Sequence, residues 1–148
     1  MTPLIAITQF FEPLRTNPYA YPTLEVIHIV GIALLLGNLV MLELRVWGAG
    51  KALPIADVAR LTLALAVAGF GLAVLSGVLM FATQAGDLLA NRAFVIKMLL
   101  IMLAACNAAW FHARGSLVKL DTTAKFQTLA SSIIWIAAIF CGRWIAYL

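Results

Sequence analysis

Four long apolar runs constrain this chain more than any other feature of its sequence. They cover about Leu24–Trp47, Leu61–Thr83, Phe94–Ala113 and Phe126–Tyr147. A helix needs about 20 mostly apolar residues to cross the hydrocarbon core of a bilayer. The connections between the runs are short and leave no room for a separate soluble domain. The sequence therefore predicts an all-α integral membrane protein, a single membrane domain over residues 1–148 built as an up-down-up-down four-transmembrane-helix bundle.

The composition agrees with a chain whose main solvent is lipid. Hydrophobic residues make up 64% of the sequence and charged residues only 11%, whereas about 25% of the residues of a soluble domain are charged. The net charge of +4 comes from ten Lys and Arg residues that are scattered singly. Nucleic-acid binding requires a clustered basic surface. The sequence therefore excludes a nucleic-acid partner and predicts membrane lipid as the surroundings of the helices.

The basic residues also predict how the bundle lies in the membrane. In an up-down-up-down bundle, the loops at 48–60 and 114–125 share one face. Cytoplasmic loops carry an excess of Lys and Arg, so we expect these two loops in the cytoplasm and both termini on the outer, periplasmic side. The face of the two loops has Arg45, Lys51, Arg60, Arg114, Lys119 and Lys125, and the other face has Arg15, Arg92, Lys97 and Arg143.

Residues 1–22 form an N-terminal interfacial segment in this interpretation. Ile5, Phe10, Phe11 and Leu14 are spaced to make the apolar side of a short helix that ends near Pro13. Such a helix lies in the membrane surface and does not cross it.

Ionisable residues inside a membrane span are costly, and each is by default a hypothesis of a functional site. Alternating helix directions bring several polar and soft side chains to one outer layer, although they lie far apart in the sequence. This outer layer contains Glu25, His28, Met80, Lys97, Cys141 and Arg143.

His28 is the candidate metal ligand of this outer layer. A neutral imidazole binds iron well, and its second nitrogen needs a partner that fixes the ring. Glu25 lies one helical turn away and is the expected partner. Lys97 and Arg143 are cations that suit the two propionates of haem, because charge-assisted contacts are strong. The alternative is an ordinary buried histidine that is hydrogen-bonded to Glu25 or to a carbonyl group.

The small residues on the second span have two possible roles. Gly69, Ala73 and Gly77 recur at four-residue spacing. Such residues let another helix approach closely, or they leave room for a flat cofactor.

His112 is the other histidine, and the predicted topology separates it from His28. A helix rises about 1.5 Å per residue, so the segment from Lys97 to His112 spans ~22 Å. Within one subunit the two histidines should therefore not bind one iron. A deeper polar set, Asn38, Glu43, Arg45 and Asn107, is expected to form hydrogen bonds between helices, with Glu43 paired to Arg45, or else to provide a path for protons or electrons.

Two segments of the chain resemble a known group of membrane proteins. "LEVIHIVGIALLLGNLVMLELRVWG" and "NRAFVIKMLLIMLAACNAAWFH" are similar to four-helix membrane proteins related to HemJ-type protoporphyrinogen oxidases and CopD-like copper-resistance proteins. A histidine early in the first helix and a lysine that opens the third match His28 and Lys97. The resemblance implies a bacterial inner-membrane protein, with the histidine involved in binding b-type haem and the lysine in activity. Asn107 and His112 depart from the pattern, so haem binding is implied more strongly than porphyrinogen oxidation.

Three functions follow from these observations. The first is a b-type haem protein, a small oxidoreductase or electron carrier with haem near the outer membrane face and a redox partner or quinone that the sequence does not identify. The second is a CopD-like copper protein, and the third is a structural or assembly subunit without a cofactor. We also expect a homo-oligomer, because a bundle of this size offers little area to enclose a macrocycle. The candidate Cu(I) ligands, soft or borderline side chains, are His28, Met80, Met98, Met102 and Cys141.

Overall fold

A computed structural model of the protein describes residues 11–148, and these residues form helices and connecting turns without a β-strand. Four of the helices are long and apolar enough to cross a membrane, which confirms an all-helical protein with four candidate spans. The elements are α1 (Glu12–Thr16), α2 (Ala20–Val46), α3 (Ile55–Thr83), α4 (Ala85–Ala90), α5 (Arg92–Ala113), α6 (Ser116–Lys119) and α7 (Thr122–Trp144).

The long helices begin before the apolar runs that predicted them. The largest difference is in α3, which starts directly after Pro54, six residues before the predicted Leu61. Its first turns carry Asp57 and Arg60, an exposed i,i+3 ion pair at 3.5 Å. Hydropathy reports the part of a helix that lies in hydrocarbon, whereas backbone hydrogen bonding continues into the polar interface. The N-terminal helix α1 differs as well, since it begins beside Pro13, where the predicted helix ends, and Ile5 and Phe10 lie outside the described residues.

Backbone contact between two glycines joins α2 to α3. A Cβ atom added to Gly31 would lie 2.7 Å from the carbonyl oxygen of Gly69, and one added to Gly69 would lie 2.6 Å from the backbone nitrogen of Leu35. Real Cβ atoms do not approach backbone so closely. The small residues at Gly69 and Ala73 therefore serve helix packing, and α2 fills the space that a flat cofactor would have needed there.

Side-chain hydrogen bonds, by contrast, join α5 to α7. The Asn107 amide donates to the backbone carbonyl of Gln127 at 2.9 Å, and Asn91 donates to that of Ile145 at 3.1 Å. The start of α5 thus lies beside the end of α7, and the later part of α5 lies beside the start of α7. The two helices therefore run antiparallel. Asn91 also caps α5, because its side-chain oxygen accepts from the backbone nitrogens of Ala93 and Phe94.

The turn between α5 and α7 is held by an ion pair outside the spans. The Arg114 guanidinium donates to both carboxylate oxygens of Asp121, at 3.0 and 2.5 Å, and the side chains are 23% and 39% exposed. Asp121 also caps α7 by accepting from the Ala124 backbone nitrogen at 2.9 Å. The Arg114 hydrogen bonds, followed by that from Ala124, hold the pKa of the Asp121 carboxyl well below its usual range.

Two hydrogen bonds tie α2 to α7. The indole nitrogen of Trp47 donates to the Thr128 hydroxyl at 2.9 Å, and the Ser132 hydroxyl donates to the Glu43 carboxylate. The expected pairing of Glu43 with Arg45 is therefore wrong. The Arg45 side chain turns back over the following loop and donates to the Leu53 carbonyl at 2.9 Å.

Candidate functional site

His28 is held by the backbone of α3. Its Nδ1 atom lies 2.8 Å from the Ala73 carbonyl oxygen and 3.0 Å from the Ser76 hydroxyl. A carbonyl oxygen can only accept, so Nδ1 must carry the ring proton. The Ser76 hydroxyl lies 2.7 Å from the Leu72 carbonyl oxygen and donates there, which leaves its lone pairs for His28. The second ring nitrogen, Nε2, is therefore the unprotonated one and can act as a ligand.

Small residues on α3 make room for this ring. A Cβ atom at Gly77 would lie 3.2 Å from Cε1 of His28, which is tighter than ordinary contact. Gly77 thus leaves space for the His28 imidazole, whereas Gly69 allows α2 and α3 to pack closely. Sequence reasoning did not identify Ser76, although a hydroxyl three residues after Ala73 in an apolar helix was a usable signal.

Lys97 brings a positive charge towards the same layer from α5. Its side chain is half-buried, and a Cβ atom at Gly142 would lie 3.4 Å from the Lys97 Nζ atom. Cys141 is the residue before Gly142, so the Lys97 side chain lies against α7 at this level. Lys97 of α5 therefore reaches α7 next to Cys141, whereas His28 of α2 contacts α3 at Gly77; the convergence of all these residues on one outer layer stays a prediction.

Within residues 11–148, the hydrogen-bond partners of His28 are Ala73 and Ser76 and not another member of the predicted outer layer. Among residues 11–148, no hydrogen bond links Glu25 to His28, and Glu25 is exposed; the Ala73 carbonyl takes the role expected of Glu25. Arg143 is also exposed, donates to the Tyr147 hydroxyl at 2.8 Å and lies 5.2 Å from the centre of that ring. Met80 is half-buried near the end of α3, and its carbonyl accepts from Thr83 at 2.7 Å.

The part of the chain that the structure describes contains no group of three or more His, Cys, Asp or Glu residues that could hold a metal ion. A complete metal centre built from such side chains is therefore not present in residues 11–148. One imidazole with a fixed proton is nevertheless sufficient as a single axial ligand, because a macrocycle supplies the remaining nitrogens of a haem iron.

His112 lies at the other end of α5, beside a cavity of about 340 Å³ between the α2–α3 pair and the α5–α7 pair. Its ring meets Phe111 edge to face, with the centroids 5.6 Å apart. Other residues that line this inter-pair cavity are Leu35, Glu43, Phe70, Asn107, Ala108, Gln127 and Trp135.

Comparisons with protein-family models, with curated proteins and with solved structures find no match to this chain. The resemblance to HemJ-type and CopD-like proteins therefore stays a prediction that depends on His28, Lys97 and the segments around them.

Proposed function

We propose that the protein is a b-type haem-binding integral membrane protein in which His28 is an axial ligand. One observation carries the proposal: the Nδ1 proton of His28 is donated to the Ala73 carbonyl at 2.8 Å, so Nε2 keeps its lone pair. Histidines that bind metals almost always donate their other ring N–H to a carbonyl, a carboxylate or water, which fixes the tautomer and the orientation of the ring. A histidine with only a structural role would make the same hydrogen bond, and the optical spectra described below distinguish the two roles.

Lys97 supports the same assignment through its charge. It is half-buried, and the ion pairs within residues 11–148 do not include it. A desolvated ammonium group is costly without a counter-ion, and a haem propionate would supply one. Arg143 is engaged by Tyr147, so we assign the propionate contact to Lys97 first.

When bound, haem would supply one-electron redox chemistry. The chain itself would hold the iron through His28, fix the tautomer through Ala73 and Ser76, and neutralise a propionate through Lys97. These roles fit an electron carrier or a small oxidoreductase.

We place the chain in a bacterial inner membrane, with the four long helices crossing it in up-down-up-down order. The excess of Lys and Arg in the two loops puts Lys51 and Lys119 in the cytoplasm and both termini outside. A periplasmic reporter fused after Leu148 should be active. Activity of a cytoplasmic reporter alone at that position would refute this orientation.

Optical spectra of four purified proteins test the haem assignment. The wild type should show a Soret band, and His28→Ala should lose it while keeping its helical circular dichroism. His112→Ala is the matched control and should retain the band, because His112 lies at the other end of α5. Lys97→Ala should weaken haem retention less than His28→Ala, since a propionate near the interface can find water instead. A wild-type Soret band in His28→Ala would eliminate His28 as the ligand.

The same preparations address the two other functions and the assembly. Stoichiometric copper without a Soret band would favour the copper-binding alternative, and protein with neither would favour an assembly subunit. Native mass spectrometry in mild detergent should show the proposed homo-oligomer, and monomers alone would argue against it.

A further inference from the structure

We propose that the inter-pair cavity binds a neutral, lipid-soluble ring carbonyl compound of the quinone type. This inference does not depend on haem, because His28, Ala73, Ser76 and Lys97 are not among the residues that line the cavity. At about 340 Å³ the cavity falls in the range of about 300–1,000 Å³ that is typical of small-molecule sites.

The cavity is largely apolar, and the polar side chains that line it lie towards one of its ends, beside Leu42 and Phe111. Leu35, Phe70 and Trp135 lie near the middle of their helices, whereas Glu43 and His112 lie near helix ends that face the connecting loops. A ligand with a polar head and an apolar tail therefore fits with its head towards the loops. Such a molecule could enter from the bilayer without crossing water.

Gln127 supplies an unsatisfied hydrogen-bond donor beside this polar end. Its side-chain oxygen accepts from the Ser116 hydroxyl at 2.7 Å. Its Nε2 atom is the one buried side-chain nitrogen or oxygen within residues 11–148 that has no partner. Leaving a buried donor unpaired costs free energy. Nε2 is closed off from the cavity in this conformation, and a rotation of the Gln127 amide would present it to a carbonyl oxygen on a ligand. Asn107 lines the same end and uses its amide nitrogen on the Gln127 backbone.

The lining favours a neutral ring over a phospholipid. Lys and Arg are absent from the residues that line the cavity, so a phosphate headgroup would find no cation there. Phe70 and Trp135 meet edge to face with centroids 6.3 Å apart, and aromatic side chains in this arrangement pack well against another flat ring.

Photolabelling of the whole protein tests the proposal. The protein is reconstituted in phosphatidylcholine nanodiscs and exposed to an azido-benzoquinone with a decyl tail. Mass spectrometry should locate saturable labelling on α5 and α7. An unlabelled decyl-benzoquinone should compete for the site, whereas decanol should not. Equal competition by decanol would mean that the crevice merely holds acyl chains and would overturn the proposal.

Two neighbouring alanines on α5 give a matched pair of variants. Ala108 lines the cavity and Ala109 does not, yet both are exposed on the same helix. Ala108→Leu should weaken labelling by about tenfold, the equivalent of ~1.4 kcal/mol, because the larger side chain fills the site. Ala109→Leu should leave labelling unchanged. Equal labelling of the two variants would contradict the site.

Gln127→Glu tests the hydrogen bond, since it keeps an oxygen for Ser116 and removes the Nε2 donor. It should weaken labelling at neutral pH while the protein remains folded, and undiminished labelling would eliminate the assigned donor. His28→Ala should label like the wild type. Loss of haem from His28→Ala with retained labelling would therefore separate the two proposals.

Discussion

The two helix pairs of this protein are held together in different ways. The α2–α3 pair is joined where Gly31 and Gly69 let one backbone touch the other. The α5–α7 pair is joined by amide side chains, among them Asn107, which donates to the Gln127 backbone. Both solutions suit a membrane, where lipid is as apolar as the helices and burial of apolar surface drives association only weakly.

Each packing mode produces a different kind of site. Close backbone approach places a carbonyl of α3 within 2.8 Å of the His28 imidazole, so the ring is oriented by the main chain and not by a titratable side chain. The α5–α7 pair instead carries polar side chains such as Gln127 on its inner face, and these line a cavity. The first pair thus builds a rigid ligand position, and the second contributes a space with hydrogen-bonding groups.

The largest change in the free energy of unfolding is expected for a substitution where the backbones of α2 and α3 touch. Gly69→Ala would place a Cβ atom 2.6 Å from a backbone nitrogen of α2, so the helices must separate; overpacking of this kind typically costs about 1–3 kcal/mol. Gly71→Ala is the control, because nothing lies within 4 Å of its added Cβ. Gly71→Ala should gain about 0.5–1 kcal/mol, since alanine is the better helix former. Denaturation in mixed micelles, followed by circular dichroism, measures both, and equal free energies of unfolding would refute backbone contact.

A smaller change in the free energy of unfolding is expected for the loss of a hydrogen bond between α5 and α7. Asn107→Leu removes a hydrogen bond between two helices, which is worth about 0.6–1.7 kcal/mol in membranes. Asn38→Leu is the matched change, because the Asn38 amide donates only to Leu34 in its own helix at 2.7 Å. The unfolding free energy should fall for Asn107→Leu and change little for Asn38→Leu. The reverse order would show that side-chain bonds do not hold this pair.

The smallest effect concerns the ion pair that closes the α5–α7 turn. Because folding lowers the pKa of Asp121, its stabilising contribution is present above the ordinary pKa of an aspartate and is lost as pH falls towards the lower, folded-state pKa. Asp121→Asn keeps a good helix cap but loses the charge. The difference in Tm between wild type and variant should shrink as pH is lowered from 7 to 3. A constant difference over that range would eliminate the ion pair as its cause.

Sequence reasoning was most successful where it relied on long patterns. Four spans followed from hydropathy, and the structure has four helices that are long and apolar enough to cross a membrane. It was wrong about local partners: Glu25 is one turn from His28 but exposed, and Glu43 receives a hydrogen bond from Ser132 and not from Arg45. Proximity along one helix does not decide a partner, because the neighbouring helix offers competing groups at shorter range.

The sequence by itself determined that this chain is helical and belongs in lipid, since too few charged residues are present to cover a water-soluble surface and four runs match the thickness of a bilayer. It also determined that His28 and Lys97 lie near the same ends of their helices. Only the tertiary structure decided that Gly69 packs against Gly31 while Gly77 accommodates the His28 ring, and that Gln127 borders a cavity. The physical reason is rotation about the helix axis: depth follows from counting residues, but the face that each residue presents to a neighbour is set by how all the helices pack together.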